Sequence, residues 1–360
     1  MDRKYLLVVR TGEAEIQALQ NFDNDVFSNV LPLIELTRGR KKTIGNSVSY
    51  PFDNRFEKIK NKLRAQKIAL DVTSDEGLAC AETECFYNYE QGYSKWVKFL
   101  VDLKRQNIFE EIIPTLLMNF EDEYFDDNFR KEIHSLLEEF GGVLYRCSLD
   151  NDDCYEDLSI IQDELGNSNK LYVVIDYGYV VQAMQHNVSD KCKARIANLH
   201  KMLKCNYDII VCGTSFPNNI SDIGDDEHDS FCISEVAVFE DCYAEDDRVV
   251  YGDYGSVNPK RNDDIVMARG WVPRIDIPLE NSVFYYRQRR PKELKYKEVY
   301  KNVAKEVLRD PQFPNTLNVW GTSMIRQCAY DVAPSARPSF WIAVRMDIHV
   351  AQQLKRLNYL

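Results

Sequence analysis

The feature that most constrains this chain is a short apolar run ending in a carboxylate, which recurs along the sequence. It occurs as LYVVID ending at Asp176, LPLIEL with Glu35, KIALDV with Asp71 and VVYGD ending at Asp253. An unbroken apolar run of this length, bounded by loop residues, is typical of a β-strand buried on both faces. Such strands belong to parallel sheets whose two faces are covered by helices.

Helical patterns separate the apolar runs, and this alternation predicts a parallel α/β fold. The predicted strands are Tyr5–Arg10, Val30–Leu36, Lys67–Val72, Glu111–Met118, Gly142–Ser148, Leu171–Ile175, Tyr207–Cys212 and Arg248–Tyr251. Eight strand–helix units are the number that closes a (β/α)8 TIM-like barrel. A doubly wound open sheet is the alternative, but Arg10–Glu13 lacks the glycine-rich phosphate loop that would favour it.

The last quarter of the chain extends this barrel. We expect residues 1–273 to supply the eight units and residues 274–360 to pack on them as part of one compact body, because no flexible linker separates the two. The extension is predicted to contain a hairpin insertion (Arg274–Pro278 with Val283–Arg287), the delayed eighth barrel helix (Lys292–Leu308) and a C-terminal helical extension (Thr322–Ala329 and Trp341–Leu357).

Charge and cysteine usage limit the class of protein. A net charge of −12 makes the chain a poor general binder of nucleic acid or anionic membranes. No apolar run approaches the roughly 20 residues of a membrane helix, and the N-terminus is expected to be a first strand rather than a signal peptide. Ten cysteines without a CxxC pair favour a reduced, cytoplasmic protein and disfavour a zinc site.

Several short motifs resemble one known family. They are LVVRTGEAEIQAL and LPLIELT near the N-terminus, then VIDYG, GTSFP and GDYGSVNP, and finally WIAVRMDIHVAQQL. In this order, along nearly the whole chain, they resemble the beta-protein family, which is named after a protein of a T-even bacteriophage. The resemblance implies a barrel-like fold, a bacterial or phage source and an association with anti-phage defence. It brings no established catalytic mechanism, so no residue role transfers.

Candidate site residues follow from the barrel itself, because ligands bind where barrel strands end at the C-terminal face. The candidates for catalysis are Glu35, Asp71, Asp176 and Asp253, and the first three would also supply oxygen ligands to Mg²⁺. The candidates for binding an anionic ligand are Arg146, Arg38, Arg40 and Ser215. A metal held there would activate water against a phosphate ester.

A structural interpretation of the same residues stays open. Polar residues at strand ends cap helices or form internal ion pairs, for example between Arg146 and Asp176. Ser215 in GTSFP has no paired base and is typical of a turn or cap residue. Strand side chains alternate between two faces, so a shift of one residue would place any candidate behind the barrel wall.

Two functions are compatible with these observations. The first, which we favour, is a binding or regulatory module for a partner protein or an anionic ligand in a phage or phage-defence system. The second is a divalent-metal-dependent hydrolase of a phosphate ester or nucleotide. Nucleic-acid contact through the basic, aromatic stretch Tyr285–Lys292 is possible but not favoured, because a charged hairpin edge explains it equally well.

A metal titration separates the two functions. If the hydrolase hypothesis holds, Mg²⁺ or Mn²⁺ raises the melting temperature, and Asp176→Asn abolishes that rise. Thermal unfolding with and without the metal measures both effects. An unchanged melting temperature would remove the basis for a metal-dependent reaction at Glu35, Asp71 and Asp176.

Overall fold

The computed structural model describes residues 4–44, 47–64, 66–218, 226–260 and 270–359. Thirteen strands occur in these residues. They are β1 (Tyr5–Arg10), β2 (Val30–Leu36), β3 (Lys42–Ile44), β4 (Ser47–Ser49), β5 (Lys67–Val72), β6 (Glu111–Pro114), β7 (Gly142–Ser148), β8 (Lys170–Tyr179), β9 (Tyr207–Thr214), β10 (His228–Cys232), β11 (Val250–Asp253), β12 (Arg274–Pro278) and β13 (Ser282–Arg287).

Twelve α-helices accompany the strands in the same residues. They are α1 (Glu13–Asn21), α2 (Asn24–Asn29), α3 (Asp53–Lys62), α4 (Ala81–Glu84), α5 (Glu90–Arg105), α6 (Phe125–Phe140), α7 (Cys154–Glu164), α8 (Gln185–Met202), α9 (Ser234–Tyr243), α10 (Tyr296–Arg309), α11 (Trp320–Tyr330) and α12 (Pro338–Arg356). Across the described ranges, none of these helices combines the length and the apolar character needed to span a bilayer.

Eight of the strands form one parallel sheet that closes on itself. Their order is β6-β5-β2-β1-β11-β9-β8-β7, so each strand neighbours the ones before and after it in the barrel. The outer strands meet through a parallel bridge between Thr115, just after β6, and Leu144 of β7. There the Leu116 amide donates to the Leu144 carbonyl over 2.9 Å. The predicted (β/α)8 TIM-like barrel is confirmed.

The strand boundaries depart from the prediction in two places. β6 ends at Pro114, four residues earlier than predicted, and only the Thr115 bridge to Leu144 follows it among the described pairings. β8 continues to Tyr179 through a bulge between Asp176 and Gly178. Residue 178 has a positive φ of 62°, a conformation that favours glycine. The segment predicted as a loop after Asp176 therefore lengthens the barrel wall.

A second layer of structure follows the barrel. β12 and β13 form the predicted hairpin, and β10, which the sequence did not indicate, pairs with β13 to make a sheet of three antiparallel strands. This sheet, α10 and α11 enclose a separate apolar core that includes Ile277, Phe284, Val303 and Ile325.

The eighth barrel helix is not the one that the sequence indicated. We expected Lys292–Leu308 in that role, but α10 packs wholly within the second core. α12 takes the position instead. One of its faces, with Met346 and Val350, packs on the barrel, while the opposite face, with Val344 and Ile348, packs in the second core. A helix apolar on both faces can join two cores, whereas the strongly amphipathic α10 can serve only one.

Asp347 connects two of the C-terminal helices and gives a test of this packing. Its buried carboxylate accepts a hydrogen bond of 2.7 Å from the Gly321 amide in the first turn of α11. Burial raises the pKa of Asp347 from 3.8 to about 7. The folded protein therefore binds this proton more tightly than the unfolded chain does.

Asp347→Asn should flatten the pH dependence of stability. Because the folded pKa is raised, the contribution of Asp347 is full below pH 3.8 and is lost as the pH rises to about 7. Asparagine does not titrate, so the slope should fall by up to about 1.4 kcal/mol per pH unit. Urea unfolding between about pH 4.5 and 7.5 measures this. Asp331→Asn, at an exposed site after α11, is the control, and equal slopes in both variants would contradict the role of Asp347.

Candidate functional site at the barrel mouth

The middle of the barrel interior is apolar. Its apolar part includes Leu6, Val8, Leu31, Leu33, Ala69, Ile113, Leu144, Val174, Ile210 and Cys212. The next inward-facing positions are polar and are occupied by Arg10, Glu35, Asp71, Arg146, Asp176 and Tyr254. The alternation of strand side chains thus places three of the four predicted carboxylates, with Arg146, inside the barrel mouth.

Arg146 lies at the centre of this group and binds every member except Arg10. Its Nε donates to Asp176 Oδ2 over 2.9 Å, and its Nη1 donates to Glu35 Oε2 over 3.1 Å and to Asp71 Oδ2 over 2.8 Å. Its Nη2 donates to the Tyr254 hydroxyl over 2.7 Å, and that hydroxyl donates in turn to Asp176 Oδ2 over 2.5 Å. We call these five residues the mouth network. One guanidinium therefore holds strands β2, β5, β7 and β8 together.

The remaining oxygen of each carboxylate also has a partner. Glu35 Oε1 accepts from Arg10 Nε over 3.4 Å. Asp71 Oδ1 accepts from the Val72 amide, and Asp176 Oδ1 from the Gly178 amide, each over 2.8 Å. All six carboxylate oxygens are therefore engaged by protein donors.

Burial and the central cation act in opposite directions on these groups. Burial alone would raise the pKa of Glu35, but Arg146 and Arg10 outweigh it and hold that pKa below its ordinary value. For Asp71 burial prevails over Arg146, with Glu35 adding repulsion, and the pKa is raised. Burial disfavours the charged form of Arg146, yet Tyr254 and the three carboxylates raise its pKa well above the ordinary value.

These residues do not fit a Mg²⁺ site as they stand. A divalent cation needs free carboxylate oxygens, and here a cation of the protein already occupies them. Within the described parts of the chain, no group of three or more histidine, cysteine, aspartate and glutamate side chains is arranged to hold a metal ion. The geometry gives no support to the hydrolase interpretation.

Asp253 lies outside the barrel interior, apart from the mouth network. It faces α12, where its Oδ2 is 2.6 Å from Nε2 of the fully buried His349. The hydroxyls of Tyr5 and Tyr251 also donate to it, over 2.5 and 2.7 Å. Burial opposes its charge, but His349 and these hydrogen bonds lower its pKa. The four carboxylates were expected to converge on one rim. Asp253 does not join the others because successive side chains of a strand lie on opposite faces, and the next residue, Tyr254, is the one that faces the barrel interior.

Ser215 is likewise remote from the mouth network and lies at the start of α9. Its amide donates to Glu235 Oε2 over 2.8 Å, its hydroxyl donates to the same atom, and the Ser234 amide donates to the hydroxyl over 3.0 Å. Burial, partly offset by Ser215, raises the pKa of Glu235 to about 7. These contacts match the cap role that the sequence left open for Ser215.

Arg38 lines a cleft beside the mouth network, above the ends of β1 and β2. We call it the mouth cleft; its volume is about 370 Å³. It is lined by Arg10, Gly12, Glu15, Thr37, Arg38, Gly39, Lys41, Tyr50, Arg55 and Leu78. Four cations and one carboxylate thus face the same space. Burial is the main cause that raises the pKa of Glu15.

Arg40 belongs to a neighbouring cleft between α1 and α3. This side cleft has a volume of about 600 Å³ and shares Arg55 with the mouth cleft. Its other charged residues are Arg40, Lys42, Lys58, Arg337 and Glu13. Arg40 is bound to Glu13, so it is a less free cation than Arg38.

The stretch Tyr285–Lys292 does not offer its tyrosines to bases. Tyr285 is fully buried with its ring against Arg274, and Tyr286 stacks on His228 at 5.0 Å. Both rings are used in packing within the hairpin sheet. This arrangement agrees with the view that nucleic-acid contact by this stretch is not favoured.

Three contributors to the site were missed in the sequence. Tyr254 and Arg10 complete the polar positions inside the barrel, and Arg55 joins the mouth cleft from α3. A signal for Tyr254 was present, since counting by twos from the inward Val250 reaches it and passes over Asp253. Arg55 gave no signal, because only tertiary packing brings α3 beside the end of β1.

Replacing Arg146 should test the mouth network. Arg146→Met leaves three buried carboxylates without their cation and should lower the free energy of unfolding by about 3–5 kcal/mol. Adding Asp71→Asn should restore part of the loss by removing one negative charge. Arg130→Met, which breaks a half-exposed pair with Glu164, should cost less than about 1 kcal/mol. Equal losses for Arg146→Met and Arg130→Met in urea unfolding would refute the central role of Arg146.

Comparison with known proteins agrees with the resemblance in the sequence. The family model described as Beta protein matches residues 5–355. Protein beta of Enterobacteria phage P4 is 28% identical over 356 residues, which cover 98% of this chain and 93% of that protein. This relative comes from phage P4, whereas the resemblance pointed to a T-even phage. The match extends from β1 to the last turn of α12, and the chain therefore belongs to the Beta protein family.

Proposed function

We propose that this protein is a binding module that takes a phosphate-bearing ligand in the mouth cleft. The observation that carries the proposal is that four cations line the cleft. They are Arg10, Arg38, Lys41 and Arg55, and Glu15 is the one carboxylate among the described residues that line it. The cleft lies at the C-terminal ends of barrel strands, where barrels bind their ligands. Its volume of about 370 Å³ suits a small molecule or one end of a larger one.

Three of these cations are held in place before any ligand arrives. The Arg38 guanidinium lies 5.0 Å from the centre of the Tyr50 ring. Arg55 Nη1 donates to the Thr11 carbonyl over 3.1 Å, and Arg10 is anchored by Glu35. A guanidinium fixed in this way loses little freedom on binding and matches two phosphate oxygens at once.

The local charge contrasts with that of the whole chain. The net charge is −12, yet the described residues that line the mouth cleft include four cations and one carboxylate. The side cleft continues this cationic surface past Arg55. A compact basic region on an acidic protein concentrates anions locally and repels extended polyanions elsewhere. This favours a small phosphorylated ligand over a long nucleic acid.

The mouth network favours binding over hydrolysis. General acid–base or metal-assisted catalysis needs a carboxylate whose oxygens can reach a proton, a water or a metal. Glu35, Asp71 and Asp176 are instead all hydrogen-bonded to Arg146. Their remaining oxygens are held by Arg10 and by the backbone amides of Val72 and Gly178. The barrel mouth thus supplies a rigid floor beside the cleft.

The biological setting forms part of the proposal. The family relationship to a phage protein supports a role in a phage-related system, and we place a partner protein and a defence function in that setting. Ten free cysteines accord with a reducing, cytoplasmic compartment. A ligand bound in the mouth cleft would then be the signal that the module passes to its partner.

Inorganic pyrophosphate is a suitable probe of the mouth cleft. Calorimetric titration should show binding that weakens as salt rises, and Arg38→Ala with Lys41→Ala should reduce the affinity at least about tenfold. The matched control removes one arginine and one lysine from the exposed face of α5, by Arg105→Ala with Lys98→Ala, and should bind as the unaltered protein does. Unchanged affinity in the Arg38 and Lys41 variant would overturn the proposal.

A further inference from the structure

Two buried arginines share a single carboxylate beside the barrel. Arg274 of β12 and Arg345 of α12 are only 6% and 5% exposed. Arg274 Nε donates to Asp276 Oδ1, and Arg345 Nη1 donates to Asp276 Oδ2 over 3.0 Å. The two guanidiniums therefore share one carboxylate as their hydrogen-bonded counter-ion.

Several donors around Asp276 lack an acceptor. In the described part of the chain, both Nη atoms of Arg274, the Nε of Arg345 and the hydroxyl of Tyr285 are buried without a hydrogen-bond partner. Tyr285 lies opposite Asp276 on the paired strand, and its ring packs on the Arg274 guanidinium.

Aromatic rings cover the flat faces of both guanidiniums and leave their edges free. Arg274 Cζ lies 3.8 Å from the centre of the Tyr285 ring, and Arg345 Cζ lies 3.7 Å from that of Phe216. Guanidinium N–H groups point outward in the plane of the group, so stacking does not satisfy them. The rings fix the two cations while their donors remain available.

Such an arrangement is costly unless an anion completes it. Buried polar groups in folded proteins nearly always have hydrogen-bond partners, and a buried charge without compensation is among the most destabilising features known. Two guanidiniums that share one carboxylate, together with unpartnered donors on three residues, are the features expected of an anion site. Neighbouring Asp276 uses both its oxygens on the arginines already.

We propose that Arg274, Arg345 and Tyr285 form a second anion site, which binds a tetrahedral oxyanion such as the phosphate group of a ligand. The unpartnered donors of these three residues are too many for the two oxygens of a carboxylate. A phosphate offers three or four oxygens and can accept from more of them. None of the residues that line the mouth cleft belongs to this site. The inference therefore goes beyond the proposed function and does not depend on it.

The test uses inorganic phosphate and a protein in which the mouth cleft is disabled. In the Arg38→Ala, Lys41→Ala background, phosphate at constant pH and ionic strength should raise the melting temperature in proportion to the logarithm of its concentration. Tyr285→Phe keeps the stacked ring and removes one donor, and calorimetry should show affinity about fivefold weaker. Arg274→Met should abolish binding.

Controls make the result specific. Tyr286→Phe alters the next residue of the same strand, whose hydroxyl donates to Asp310, and should leave phosphate affinity unchanged. No response to phosphate in the cleft-disabled background would overturn the second site, as would equal affinity in the Tyr285→Phe and Tyr286→Phe proteins. Equal stabilisation by acetate would overturn the assignment to a tetrahedral oxyanion. If the mouth cleft binds no phosphate, phosphate should raise the melting temperature equally in the Arg38→Ala, Lys41→Ala protein and in the unaltered protein. A failure of the mouth-cleft proposal can therefore be told apart from a failure of the second site.

Discussion

The salt bridges of Arg146 to Glu35, Asp71 and Asp176 are the interaction on which the rest of the structure depends. Closing eight strands into a barrel brings these side chains into one enclosed layer, where unpaired carboxylates would repel one another and lose their hydration. A single guanidinium, together with Tyr254 and Arg10, supplies hydrogen bonds to the carboxylates of this layer. The same contacts tie together strands far apart in the chain. Stability and the position of the candidate site therefore have one physical origin.

Filling the mouth in this way moves binding to its edge. A barrel whose central carboxylates are free can hold a metal, whereas this barrel offers a rigid polar floor with a basic cleft beside it. The cleft is built mainly from the end of β1, the start of α1, the loop after β2 and a single arginine of α3. The region after the barrel has its own core, and α12 links the two by packing on both. The buried arginine pair around Asp276 lies at that junction.

Sequence reasoning succeeded where the signal was local. Apolar runs such as Tyr5–Arg10 and Val30–Leu36 are buried on both faces, and their boundaries were predicted to the residue. It failed where partners were distant. Lys292–Leu308 was assigned to the barrel because it follows the strands, but its apolar stripe matches a core formed by β12, β13 and α11. β10 was missed because its residues are mostly polar and its sheet partner β13 lies far along the chain.

The sequence by itself determined the strand–helix alternation and therefore the barrel, because burial on both faces demands continuous apolar runs. It also determined which polar residues end the strands. Only the tertiary structure decided what those residues do, because a shift of one position separates the interior from the outer wall. Asp176 and Asp253 look alike in sequence, yet the first joins Arg146 inside the barrel and the second joins His349 behind it. The face of the strand on which a side chain lies, its hydrogen-bond partner and its charge balance depend on the closed barrel. They cannot be deduced from a single strand.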